Sequence, residues 1–159
     1  MPRTLLFNHV LLFLCCSICV GTGVFLVLFQ CGLGPAPESG IVAALFAGPA
    51  AHAATFFKAM TVLMLLTGLV MLLTEWFTGI RWVPIVVLAA VIAAAVLTKV
   101  CIFPYSQELA QGISDPDRLA FVLDEWAEHN CLRLALWAVA WAAMMYWFYR
   151  LAWLARADR

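Results

Sequence analysis

Four long apolar stretches constrain this chain more than any other feature: Val10 to Phe29, Phe56 to Leu73, Trp82 to Phe103 and Leu134 to Leu154. A helix needs about 20 apolar residues to cross a hydrocarbon layer of ~30 Å, and each stretch is long enough. Lys58, Lys99 and Arg150 carry the only charges inside them, each near a stretch end, where a long stem can snorkel its charge to the interface. The chain of 159 residues is 66% hydrophobic and 11% charged. A soluble domain would carry roughly 45–50% apolar and about 25% charged residues. The expectation is therefore an all-α, polytopic membrane four-helix bundle. We read it as one domain, 1–159, with spans at approximately 10–30, 55–74, 82–103 and 131–154. The formal net charge is zero, which argues against nucleic acid as a partner.

Arg3 followed by an apolar run resembles a secretory signal, but the run from Val10 to Phe29 is too long for a usual signal core. It reads as a retained first helix. Basic residues near span ends set orientation. Arg150, Arg156 and Arg159 cluster at the last span, while the acidic residues fall mostly in the two long connections. This places both termini in the cytoplasm, with a bacterial inner membrane as the expected location. The turn from Thr74 to Arg81 is short, so spans two and three must be antiparallel neighbours. Trp76 and Trp82 flank it as interfacial anchors.

Ile41 to Ala47 is apolar but too short to span, and reads as an interfacial helix or a lid over the bundle mouth. Ser114-Asp115-Pro116-Asp117 reads as a helix start, with a Ser or Asp cap and Pro in the first turn. A short extramembrane helix from Pro116 then leads into span four, with Leu119, Val122 and Leu123 on one stripe. In span three, Ala89 and Ala93, and Ala90 and Ala94, repeat at the spacing that lets membrane helices approach closely.

Six cysteines are present. Cys16-x-x-Cys19 has a redox spacing, but without a surrounding βαβ pattern Cys15, Cys16 and Cys19 read as small packing residues. Cys31, Cys101 and Cys131 fall near one membrane face, where a disulfide between two of them is open. His9, His52 and His129 show no metal-ligand spacing, so neither a metal nor a cofactor is expected.

The residues that carry chemistry gather around span four. Trp126, Asn130, Arg133 and Trp137 recur at intervals of four, three and four and share one helix face. His129 lies beside that stripe. An arginine entering a membrane is costly unless it snorkels or pairs, and Glu108, Glu125 and Glu128 are its candidate carboxylates. Pro104-Tyr105-Ser106-Gln107-Glu108-Leu109 follows span three at the same depth, as do Lys58 and Lys99. One account is a ligand pocket for a lipophilic, anionic or phenolic molecule. Arg133, Asn130, Trp126, Tyr105 and Lys58 would bind it, and His129 and Glu108 would act as bases. The other is that these groups tie the outer helix to span three. A third account is a non-enzymatic subunit that packs against other membrane proteins through Trp137, Trp141, Trp147 and Trp153. Sequence leaves all three open.

Phe57-Lys58, the segment Phe103 to Leu109, and Trp126-x-x-x-Asn130-x-x-Arg133 together resemble the anthrone oxygenase-like family of small four-helix membrane proteins. The resemblance covers most of the chain. It departs at Tyr105 or Ser106, where members often carry Asn. It implies a four-helix membrane fold and, for the characterised members, cofactor-free oxidation of an anthrone to an anthraquinone.

Overall fold

The computed structural model describes residues 3–32, 39–47 and 49–157, with side chains placed at 4–28, 40–47, 55–153 and 156. It is all-α. The helices are α1 (Arg3–Gly32), α2 (Ser39–Ala47), α3 (Pro49–Glu75), α4 (Trp82–Leu97), α5 (Phe103–Gln111) and α6 (Pro116–Ala157). A π-helical turn, Thr98–Ile102, joins α4 to α5, so Trp82–Gln111 runs on as one helix. Four helices are long and apolar enough to cross a membrane, and they fit an integral membrane protein: Thr4–Leu28, Thr55–Glu75, Trp82–Gln111 and Pro116–Trp153.

The helix boundaries follow from local chemistry. At the start of α6 the Asp115 side chain accepts the backbone N–H of Asp117 at 3.1 Å, which satisfies one of the unpaired donors of the first turn. Pro116 takes the position where a missing N–H costs nothing. The helix then runs 42 residues without a break. At 1.5 Å per residue that is about 63 Å, twice a hydrocarbon layer, so much of it lies beyond the bilayer. α5 ends at Gly112, whose φ of 83° is left-handed and which caps Leu109 O at 3.2 Å.

α6 is the central element, packed on α1, α4 and the π-turn, while α3 packs on α1 and α4. The main core runs along the bundle: Leu12, Cys15, Cys16 and Cys19 from α1, Met64 and Met71 from α3, Val87, Ala90, Val91 and Ala94 from α4, and Trp137, Ala140, Met144 and Trp147 from α6. Of the alanine repeats, Ala90 and Ala94 face this core, whereas Ala89 and Ala93 face outward. In lipid such a core holds by close packing rather than by escape from water. At Gly23 α1 comes close to α6: a Cβ there would lie 2.9 Å from Leu134 Cδ1 and 3.3 Å from the Trp137 ring.

A second, smaller core closes the end that holds the long connections. Val42 and Phe46 of α2 are buried with Ile102, Leu109, Leu119, Val122 and Trp126. The segment read as an interfacial helix or a lid is therefore a packed helix, held edge-on by Phe46 against Trp126 with ring centres 5.0 Å apart.

Two expectations are corrected. Trp137 and Trp147 were read as an outer docking face, yet both are buried in the main core, and Trp141 turns inward to donate to Ser17 Oγ at 3.1 Å; only Trp153 is exposed. Their spacing is helical, and a helix surrounded by three others has more than one buried stripe. Glu75 was read as a loop residue, yet it is the buried last residue of α3. Cys101 and Cys131 are free thiols, and Cys31 lies outside the described side chains.

Candidate functional site

Arg133 is 4% exposed, inside the bundle near the long-connection end. One Nη donates to Asn130 Oδ1, and the other reaches Thr98 Oγ1 at 3.5 Å. Asn130 is itself fixed, its Nδ2 donating to Trp126 O at 2.7 Å. Thr98 Oγ1 gives its own proton to Ala94 O at 2.7 Å, so it meets Arg133 as an acceptor. The guanidinium is also enclosed by aromatic faces. Its Cζ lies 5.1 Å from the centre of the Phe57 ring and 4.8 Å from that of Trp137, and the two rings stack at 5.4 Å. Each contact is attractive, since a ring face is electron-rich.

The Arg133 partners differ from expectation. A carboxylate of Glu108, Glu125 or Glu128 was expected, but the polar partners are the side chains of Asn130 and Thr98. Glu108 instead forms a two-pronged pair with Arg118, at 2.8 and 2.9 Å, on the exposed side of α5 and α6. Glu125 lies 3.9 Å from His129. Among the described residues, no salt bridge reaches Arg133, and its Nε is buried without a hydrogen-bond partner. An arginine supported only by neutral dipoles and rings is an expensive group to keep inside a membrane bundle.

The other sequence candidates divide. Trp126 is buried and donates to Ser106 Oγ at 3.0 Å, so it ties α6 to α5. Tyr105 and His129 face one another, ring centres 5.9 Å apart, and both are half-buried. His129 Nδ1 lies 2.6 Å from Glu125 O; a carbonyl only accepts, so Nδ1 carries the proton and Nε2 keeps its lone pair in the neutral ring. Lys58 is exposed; its neighbour Phe57, which sequence placed in the motif only by adjacency, is the residue that turns to Arg133. Thr98 was not anticipated either. Its only signal is that it stands where α4 gives way to the π-turn, and such turns recur at functional sites.

Beside this cluster an apolar crevice of about 480 Å³ opens on the outer surface between α4 and α6. Ala93, Val96, Leu97, Val100, Cys101, Leu132 and Leu136 line it. Leu97 and Leu132 precede Thr98 and Arg133 in the chain, so the crevice wall and the guanidinium site are built from adjoining residues.

A second polar cluster, which sequence reasoning missed, lies at the opposite end, beside the short α3–α4 turn. His9 is fully buried and stacks on Trp147, ring centres 4.5 Å apart. Its Nε2 points to Glu75 Oε1 at 3.6 Å. Glu75 Oε1 also accepts from Trp147 Nε1 at 3.3 Å, and its Oε2 from Thr78 Oγ1 at 2.9 Å. Nearby, Asn8 donates to Thr67 O at 3.0 Å. His52, the third histidine, lies outside the described side chains. No family model, no curated protein and no solved structure matches this chain.

Proposed function

We propose that the protein is an integral membrane binder of small lipophilic anions, phenolates foremost, with Arg133 as the group that holds the negative charge. One observation carries this reading: among the described residues, a buried guanidinium has a buried, unpartnered Nε and only neutral neighbours. A charge in such surroundings costs several kcal/mol unless a counter-charge arrives, on the order of 3 kcal/mol at a span centre. A phenolate supplies the charge through its oxygen and, through its ring, a partner for Phe57 and Trp137. On this reading the ligand would enter from the lipid at the apolar crevice between α4 and α6, whose Leu97 and Leu132 adjoin Thr98 and Arg133 in the chain. The basic residues after span four support a reading with both termini on the cytoplasmic side of a bacterial inner membrane.

The resemblance to anthrone oxygenase-like proteins extends the reading to a reaction. A base takes a C–H proton from the anthrone, and the resulting carbanion reduces dioxygen. One oxygen atom enters the ring as the second carbonyl and the other leaves as water, so anthrone and O₂ give anthraquinone and H₂O. Both Glu108 oxygens are engaged by Arg118, which leaves His129 Nε2 as the better base of the two. A second reading, a subunit that docks on another membrane protein, draws on the open apolar crevice.

The test is a titration of purified protein in nanodiscs with anthrone and hydroxynaphthalenes, read by quenching of tryptophan fluorescence. Saturable quenching that weakens at least ~10-fold in Arg133→Gln supports an anion site, a loss of about 1.4 kcal/mol. Equal affinity in Arg133→Gln, or no saturation by any phenol, overturns it and leaves the docking reading.

A further inference from the structure

The cluster at the short-turn end has a hydrogen-atom count that does not close. His9 Nδ1 lies 2.5 Å from Leu5 O. A carbonyl oxygen only accepts, so Nδ1 carries the ring's proton, and the neutral ring then has a bare lone pair on Nε2. That nitrogen is buried, has no hydrogen-bond partner, and faces Glu75 Oε1 at 3.6 Å. Glu75 Oε1 accepts from the Trp147 indole N–H at 3.3 Å, and Oε2 lies 2.9 Å from the Thr78 hydroxyl, whose single proton also reaches the Glu75 carbonyl at 2.8 Å. With a neutral ring and an ionised carboxylate, a lone pair would face a negative oxygen, both out of water. One added hydrogen between Nε2 and Oε1 satisfies both atoms.

We propose that His9 and Glu75 form a buried proton-binding site: at neutral pH they hold a single proton between Nε2 and Oε1, and that proton joins α1 to the end of α3. Whether it rests on the ring or on the carboxyl, the pair is neutral overall, which suits a buried position. The stacked Trp147 face favours positive charge on the ring, and its N–H favours negative charge on Glu75. Among the described side chains, the other ionisable groups at this end are Arg81, Tyr146, Tyr149, Arg150 and Arg156. On α6, Arg150 is half-buried with its guanidinium over Trp153, and Tyr146, Tyr149 and Arg156 are exposed; Arg81, beside α4, is exposed. On α1 and α3 the polar neighbours, Asn8 and Thr67, do not titrate.

The consequence is a pH-dependent fold. Above the ordinary histidine range, the unfolded chain holds no proton on this pair while the folded chain holds one. The stability this proton contributes is full below the ordinary histidine range, falls above it by about tenfold in the folding constant per pH unit, and levels off once the folded pair has released the proton. On release the proton passes to the water at this end of the bundle, and the stranded carboxylate loosens α1 against α3 and α6.

The experiment uses the full chain in nanodiscs. Histidine ¹⁵N resonances, with His9 assigned by difference against His9→Gln, report the proton on Nε2, and infrared absorption reports a neutral Glu75 carboxyl. Thermal stability is followed from neutral to alkaline pH in wild type, His9→Gln and Glu75→Gln. The proposal expects one of the two protonated forms at neutral pH and an alkaline loss of stability in wild type. In Glu75→Gln an amide N–H can serve Nε2 without an added proton, so that profile should be flat. If the variant does not fold, the wild-type spectra decide. A neutral His9 ring beside an ionised Glu75 at neutral pH, or matching profiles in wild type and Glu75→Gln, overturns the proposal.

Discussion

The Arg133 guanidinium carbon lies 4.8 Å from the ring centre of Trp137, one turn further along the same helix, and 5.1 Å from that of Phe57 on another. A cation held by two ring faces and two neutral oxygens is poised for an anion but is not neutralised. In a largely apolar bundle, this is a cost that function must justify.

Arg133→Met should therefore raise stability while abolishing phenolate binding. Replacing a buried charge by an apolar chain of similar length is often neutral or stabilising, here by about 1–3 kcal/mol, because Asn130 keeps its bond to Trp126 O. Thermal unfolding in one detergent, paired with the quenching titration, checks both halves. A lower melting temperature would show that a counter-charge already stabilises the arginine.

Glu108→Gln should leave oxygen uptake with anthrone unchanged, whereas His129→Ala should reduce it by ~10²-fold or more, as expected for loss of a general base. The exposed Glu108–Arg118 pair should also contribute little to melting. Uptake that survives His129→Ala removes this histidine from catalysis, and no uptake by wild type removes the substrate class.

Two glycines should respond differently to a side chain. At Gly23 a Cβ would press on the Trp137 ring as well as Leu134, and an indole packed in the core cannot swing aside. Gly23→Val should destabilise by about 1–3 kcal/mol and disturb the Arg133 site through Trp137. At Gly68 the close atoms, 2.8 and 3.3 Å away, belong only to the flexible Leu88 side chain, so Gly68→Ala should be tolerated. Melting curves of the two variants make the comparison.

Reporter fusions check the orientation. A fusion at Arg159 should be active only with a cytoplasmic reporter, and one at Ser114 only with a periplasmic reporter. The opposite pattern would reverse the topology and place the Arg133 site toward the cytoplasm.

The sequence by itself determined the number of spans and the cap that opens α6. Length and hydropathy are properties of one segment at a time, and a bilayer needs only those to recruit a helix. The same local logic made Asp115 and Pro116 legible as the start of α6, and the four-three-four spacing put Trp126, Asn130, Arg133 and Trp137 on one stripe. Partners across helices were not legible. Glu108 could reach either Arg133 or Arg118 from its place in the chain, and only the docking of α5 on the outer turn of α6 gave it to Arg118. Phe57 turns to Arg133 while Lys58 faces outward, because α3 rotates to bury one of two adjacent residues. His9 and Glu75 lie 66 positions apart, and neither carries a motif. Tertiary structure brings them together, because α1 and α3 run antiparallel and meet at the short-turn end. Segment properties are read from consecutive residues; a buried polar pair is decided by how helices rotate against one another.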